Sequence, residues 1–415
     1  MSEGSEARGI VIVGGGPAGL QTARSYREAG GEGRVTMLAK EPHHPYQRPP
    51  LTKEFLRGES PAEDLPMEEP DWYERNGVEV RLGAEAVALD PKARTVGLSD
   101  GEEFPYSRCV LATGARPLLP PVPGVEGPGV NVVRTLEDAQ RIASAAKRVK
   151  GAGEAGRFIV IGSGFIGCEA AASLAMLGLE VIVVTLEKSP QHARLGPEAA
   201  RELGRWLFDL GIEVHPGTEV RGIYFEDEDG SEGFEVVVGD GEPIRGDGLV
   251  LGAGMKPNVE LAEAGGLLVE GGVVCDSSMR TSEEHVFAVG DLALAANEAA
   301  GRRLRVEHWG DALGQGRVCG ETLAGRESVW REVPGFWSSI GERTLKYAAW
   351  GDGWDEARFV RAGGFGGAGD AGGERDGFTV WYGLGGRCVG VLTHERDEDY
   401  ERGRRLVEAG AEMPR

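Results

Sequence analysis

Ile10-Val11-Ile12-Val13-Gly14-Gly15-Gly16-Pro17-Ala18-Gly19 sets an unbroken apolar run directly before a cluster of glycines. A continuous run of this kind reads as a strand buried on both faces, as in parallel sheets covered by helices. After it, Leu20, Ala23 and Tyr26 form an apolar stripe at helical spacing. Each glycine of the fingerprint has its own task. Gly14 permits the tight turn, Gly16 lets the backbone approach a pyrophosphate, and Gly19 lets the helix pack closely on the strand. Pro17 stands where a missing N–H costs least, Ala18 follows it, and the helix N-terminus faces the phosphate charge. Val35-Thr36-Met37-Leu38 is the next strand, and Glu41 near its end stands where a carboxylate holds a ribose diol.

A lone glycine fingerprint is a weak signal, but this chain carries two. Phe158-Ile159-Val160-Ile161 leads into Gly162, Ser163, Gly164, Phe165, Ile166 and Gly167, followed by a helix from Cys168 to Leu177 and the strand Val181-Ile182-Val183-Val184. Both copies have a strand before and a helix behind, which is the context that gives the motif its meaning. Two dinucleotide sites in one chain suggest a donor and a prosthetic acceptor, because hydride moves only between reactive rings in contact. FAD with NAD(P)H is the pair this implies.

Composition narrows the class further. A chain of 415 residues suggests two or three domains, and 40% hydrophobic residues with 67 glycines suit an α/β enzyme rich in tight turns. The net charge of −22 argues against nucleic acid and against an anionic membrane as partners. The acidic start Met-Ser-Glu-Gly-Ser-Glu lacks a targeting layout and no apolar run reaches about 18 residues, so a soluble cytoplasmic protein is expected. Cys109, Cys168, Cys275, Cys319 and Cys388 form no close pair, which favours plain packed thiols over a redox-active dithiol. No metal site is expected.

The remaining motifs resemble the FAD-dependent NAD(P)H reductases that supply electrons to ferredoxins, rubredoxins and oxygenases, and their relative the apoptosis-inducing factor. Pro45-Tyr46-Gln47-Arg48-Pro49-Pro50-Leu51-Thr52-Lys53 is similar to the signature of that group. The resemblance makes Arg48 a clamp on the FAD phosphates and places Lys53 near the flavin ring, paired with Glu169. Leu111-Ala112-Thr113-Gly114 resembles the Ala-Thr-Gly turn of the flavin domain, and Val289-Gly290-Asp291-Leu292 the motif whose aspartate binds the ribityl chain. Arg134 matches an arginine that reaches FAD in the apoptosis-inducing factor. Val306-Glu307-His308-Trp309, before Gln315 and Gly316, looks like the segment beside the flavin, and Pro334-Gly335-Phe336-Trp337-Ser338 like the entry to the C-terminal domain. Lys53, Glu169 and Trp337 are thereby assigned to catalysis, while Glu307, His308, Trp309 and Trp337 join the cofactor set. Val87 and Gly254 complete that set.

Two departures from the pattern bear on function. The reductases continue Phe-Trp-Ser-Asp-Gln, whereas Ser339 and Ile340 stand here, which puts polar contacts to the flavin pyrimidine in doubt. Thr185 occupies the position after the strand where many relatives carry the NAD-binding acid. Glu187-Lys188, two residues on, resembles the apoptosis-inducing factor, as does Lys256-Pro257-Asn258-Val259-Glu260-Leu261. Glu187 then favours NADH, with NADPH the less suited coenzyme.

The expected fold is α/β: two Rossmann-like domains, the second inserted in the first, plus a C-terminal α+β domain. The expected boundaries are residues 1–130 and 281–325 for FAD, with the return near Thr281, 131–280 for NAD(P)H, and 326–415 for the C-terminal domain. Lys150 to Gly156 reads as a linker and Gly363 to Gly373 as a hairpin loop. Phe378 to Tyr382 and Cys388 to Leu392 read as antiparallel strands, and Tyr400 to Ala409 as a closing helix. The activity implied is hydride transfer from NADH to FAD, then electron delivery to an iron–sulfur protein or rubredoxin. Arg302, Arg303 and Arg305 are a candidate docking cluster for an acidic redoxin, and homodimer formation stays open. The rival reading is a slowly turning-over, NADH-responsive redox sensor.

Overall fold

The computed structural model describes residues 8–151, 156–225, 233–239, 241–351, 353–361 and 377–414. The backbone divides into two compact units. One holds residues up to Gln47, Leu65–Arg116 and Lys256–Phe336, and the other holds Arg48–Asp64, Pro117–Met255 and Trp337 onward.

In the first unit the strand Ile10–Val13 sits at the centre of a five-stranded sheet. Val35–Ala39 and then Val78–Leu82 lie on one side of it, and Arg108–Leu111 and then Val286–Ala288 on the other, all parallel. All four residues of Ile10–Val13 are buried, as the unbroken apolar run requires. The fingerprint helix, Pro17–Glu28, packs on Trp309–Leu323 at close range. A Cβ on Gly316 would fall 2.6 Å from the Ala18 carbonyl oxygen, and one on Gly320 2.5 Å from that of Thr22. Glycine at these two positions therefore lets the backbones meet, and any side chain would force the helices apart.

The second unit repeats the design. Arg157–Ile161 is central, flanked by Glu180–Val184 and Glu213–His215 on one side and by Gly248–Leu251 and Val130–Val132 on the other, again all parallel. The C-terminal segment adds Arg343–Ala349, Arg387–His394, Phe378–Leu384 and Glu356–Arg361 as an antiparallel sheet, with Gly335–Ile340 at its edge and the helix Asp397–Glu408 after it.

Several boundaries fall elsewhere than the motifs suggest. The chain rejoins the first unit at Lys256, not near Thr281. Val273–Cys275 pairs with Ala293–Asn297, and the helix Glu260–Ala264 packs on the strand Ala86–Asp90, so this stretch is bound to the first unit without any glycine signature to announce it. The signature segment Arg48–Asp64 clusters with the second unit. The C-terminal sheet also packs into the second unit, through the helix His192–Asp209. Tyr382 donates its hydroxyl proton to the Leu195 carbonyl at 2.8 Å, and the Trp206 ring lies 4.7 Å from that of His394. Lys150 and Gly151 end the helix Leu136–Gly151, and residues 152–155 of the expected linker lie outside the described residues. The hairpin loop expected at Gly363 to Gly373 lies outside the described residues.

Candidate functional site

The glycines of the first fingerprint separate by what demands them. A Cβ on Gly14, whose φ is +128°, would lie 2.1 Å from the Ala112 carbonyl oxygen, and one on Gly19 2.5 Å from that of Gly14. Packing alone forbids a side chain at both. At Gly16 a Cβ would meet no protein atom within 4 Å. The second fingerprint shows the same split: Gly162 would clash with Gly252 at 2.4 Å and Gly167 with Gly162 at 2.2 Å, while a Cβ on Gly164 would have ordinary contact at 3.7 Å. In each loop the middle glycine is the one the protein's own packing does not need, so its requirement comes from what approaches the loop. Both helices start uncapped by any side chain and carry no acid in the first turn, which leaves the positive helix ends for an anion. The loops thus fit dinucleotide pyrophosphates.

Further residues of the first unit close around its loop. Asn258 donates to the Thr113 carbonyl at 2.8 Å while Thr113 Oγ1 donates to the Asn258 carbonyl at 2.8 Å, locking the Ala112-Thr113-Gly114 turn. Gly114, with φ +65°, accepts a backbone hydrogen bond from Asn258. Gln315 Oε1 accepts the Gly290 N–H at 2.8 Å, next to Asp291, and the Gln315 Nε2 is buried without a partner. A buried orphan amide beside the expected ribityl contact is a donor that a bound group can satisfy. His308 precedes the helix Trp309–Leu323, with Nδ1 3.1 Å from Asp311 Oδ2 and its ring 4.7 Å from Phe336. Glu41 accepts from the Tyr46 hydroxyl, and Glu307 pairs with Arg305. Val87 is 54% exposed on Ala86–Asp90. Arg302, Arg303 and Arg305 share the strand Arg302–Arg305 with exposed side chains.

In the second unit Lys53 and Glu169 form a buried ion pair at 2.6 Å. Glu169 Oε2 also accepts from Thr52 Oγ1 at 2.6 Å, and Oε1 accepts from Ser338 Oγ at 2.7 Å. Lys53 Nζ donates a further bond to the Pro49 carbonyl at 2.9 Å. Glu169 lies two residues beyond Gly167, on the second fingerprint's own helix, Phe165–Met176. Arg48 donates to the Arg134 carbonyl, Thr135 Oγ1 caps the next helix by accepting the Asp138 N–H, and Asp138 reaches back to accept from the Arg134 and Thr135 amides. Trp337 is 47% exposed. The two departing positions are structural: Ser339 Oγ bonds Thr344 Oγ1 at 2.9 Å and Ile340 is buried.

The turn after the strand Glu180–Val184 is closely tied. Thr185 Oγ1 lies 2.8 Å from Ser163 Oγ and accepts the Glu187 N–H at 3.2 Å. Glu187 Oε2 accepts the Ala193 N–H at 3.0 Å. Gly254, at φ +109°, accepts from the Leu118 N–H. Phe165 and Ile166 open the helix, with Ile166 36% exposed.

Thr52, Ser338, Asn258, Gln315, Asp311 and Ser163 were not singled out as site residues by sequence reasoning. Each enters through a hydrogen bond to a residue distant in sequence, Asp311 through the Gly335 N–H at 3.2 Å, which leaves no local mark in the sequence. All five cysteines are buried and unpaired, and burial raises every thiol pKa, that of Cys275 to about 12. Such thiols are poor nucleophiles. Among the described residues no helix is long and apolar enough to cross a membrane. A half-open cavity of about 500 Å³, lined by residues including Asn131, Gln140, Arg141 and Arg148, touches none of the fingerprint glycines.

Residues 8–316 match the family described as pyridine nucleotide-disulphide oxidoreductase. The chain is 33% identical over 405 residues to rhodocoxin reductase of Rhodococcus erythropolis, covering 98% of this chain and 90% of that protein. It is 34% identical over 341 residues to rubredoxin-NAD(+) reductase of Pseudomonas putida, covering 81% and 85%. Among solved structures it is similar to the covalent putidaredoxin reductase–putidaredoxin complex, with a TM-score of 0.87 at 30% identity over 97% of this chain and 93% of that one.

Proposed function

The chain belongs to the pyridine nucleotide-disulphide oxidoreductase family, and from that membership we propose an FAD-dependent NADH oxidoreductase that delivers electrons to a small iron–sulfur protein or rubredoxin. The carrying observation is the duplicated loop in which Gly16 and Gly164 are glycines that packing does not demand. When bound, FAD supplies a two-electron acceptor for hydride that can release electrons one at a time.

The chain's own residues hold, orient and set charge. Gly14, Gly16, Pro17, Ala18 and Gly19 cradle the FAD pyrophosphate, with Arg48 as its cationic clamp, Arg134 and Val87 as further contacts, and Glu41 on the ribose. Ala112, Thr113, Gly114, Asp291, Glu307, His308, Trp309 and Trp337 complete the flavin set. Gly162, Gly164, Phe165, Ile166, Gly167 and Gly254 receive NADH, and Glu187 reads its ribose diol. Lys53, its ammonium fixed by Glu169, presents a positive charge that favours the electron-rich flavin. No thiol relays electrons, because none is accessible or paired. A cytoplasmic location is part of this reading.

A coupled assay tests it: NADH, the purified protein, cytochrome c, and either a ferredoxin or a rubredoxin. Multiple turnovers that depend on the added redoxin are expected. One slow reduction without catalysis would instead identify a redox sensor of the apoptosis-inducing-factor type.

A further inference from the structure

We propose that Thr185 is a positioning residue for coenzyme choice, tying the ribose-reading Glu187 to the pyrophosphate loop. The inference rests on the role assigned to Glu187 above.

Thr185 stands directly after the strand Glu180–Val184, where a carboxylate would reach a ribose by itself. Its hydroxyl instead turns inward, 2.8 Å from Ser163 Oγ inside the Gly162-Ser163-Gly164 loop, and accepts the Glu187 amide proton. The loop is fastened a second time by Gln191, whose Nε2 donates to the Ser163 carbonyl at 3.0 Å. Gln191 takes a left-handed φ of +60° just before the helix whose Ala193 N–H the Glu187 carboxylate receives. The Glu187 carbonyl accepts from Gly217 at 2.9 Å. Glu187 is thus held at its amide, its carbonyl and its carboxylate. Ser163, Thr185 and Gln191 are 2%, 5% and 6% exposed, whereas Leu186 between the two key residues is 74% exposed.

Exchanging both partners of a buried hydroxyl pair for apolar groups of the same shape is nearly neutral for stability. What this chain of bonds adds is a fixed distance between the loop that takes the pyrophosphate and the carboxylate that takes the diol. A carboxylate set two residues beyond the strand lies on a turn that would otherwise move, and ordering it in advance removes an entropy cost from binding.

Thr185→Val keeps the shape and deletes the hydroxyl, and Thr185→Ser keeps the hydroxyl. The readouts are kcat and KM with NADH, with NADPH, and with reduced nicotinamide mononucleotide, which lacks the adenosine half. The valine variant is expected to raise the KM for NADH about twofold to twelvefold with kcat unchanged, as loss of a hydrogen bond of ordinary strength implies. The KM for NADPH and for the mononucleotide should stay put, and serine should restore NADH. In a Glu187→Ala background the valine should have no further effect. An unchanged KM for NADH, or an equal rise for the mononucleotide, overturns the proposal. If Glu187→Ala itself leaves the NADH preference intact, the underlying reading of Glu187 fails. If Glu187→Ala removes that preference and Thr185→Val does not, only the positioning role fails. Should the valine variant not fold, Ser163→Ala breaks the same bond from the other side and must show the same pattern.

Discussion

Lys53 Nζ lies 2.6 Å from Glu169 Oε2, with side chains only 9% and 8% exposed. Removing one member of such a pair strands the other charge away from water, at a cost of about 3–5 kcal/mol. Glu169→Ala should therefore lower the melting temperature clearly and slow flavin reduction by NADH. Thermal unfolding and stopped-flow reduction read the two effects separately. An Ala variant as stable and as fast as the parent would mean that the pair does neither job.

The two middle glycines predict a division of labour. Gly16→Ala meets nothing within 4 Å, so the variant should fold and purify yet retain little FAD. Gly164→Ala should keep its FAD and raise the KM for NADH. Flavin content per chain and steady-state kinetics give the answer. Full flavin in Gly16→Ala would show that the pyrophosphate does not lie against that loop.

Burial holds every thiol protonated at neutral pH. A thiol reagent added to the native protein should find no fast-reacting cysteine, and NADH oxidation should continue undiminished. A single rapidly modified cysteine whose loss stops turnover would restore a dithiol-type mechanism.

Arg108 donates to His285 Nδ1 at 2.8 Å, which requires that nitrogen unprotonated. Burial, then Arg108, then Arg94, push the His285 pKa below its usual 6.5. The unfolded chain therefore takes up the proton first. This contribution to stability is intact above pH 6.5 and fades as the pH falls through the unfolded and then the folded value. His285→Gln should show a smaller drop in melting temperature between neutral and mildly acidic pH than the parent. An identical drop would assign the acid sensitivity to other groups.

The parts legible in the sequence are those whose cause is local. The apolar run Ile10–Val13 and the conformational needs of Gly14 and Gly162 write themselves into consecutive residues. So does the aromatic and β-branched run that marks Phe378–Leu384 as a strand, buried at every position but the last. The unreadable parts depend on distant partners. Ser338 meets Glu169 across 169 positions, and Asn258 meets Thr113 across 145, distances at which no periodic pattern operates. The early return at Lys256 was hidden for the same reason, since Val273–Cys275 is too short a strand to declare its partner.

Electron passage from NADH through the flavin to a redoxin is read by an anaerobic titration of the purified protein with NADH, followed by addition of an oxidised ferredoxin or rubredoxin. The expected result is a yellow protein whose flavin band bleaches with one equivalent of NADH and returns as the redoxin is reduced, two one-electron equivalents per flavin. A colourless protein, or a flavin that NADH bleaches but no redoxin reoxidises, would contradict it.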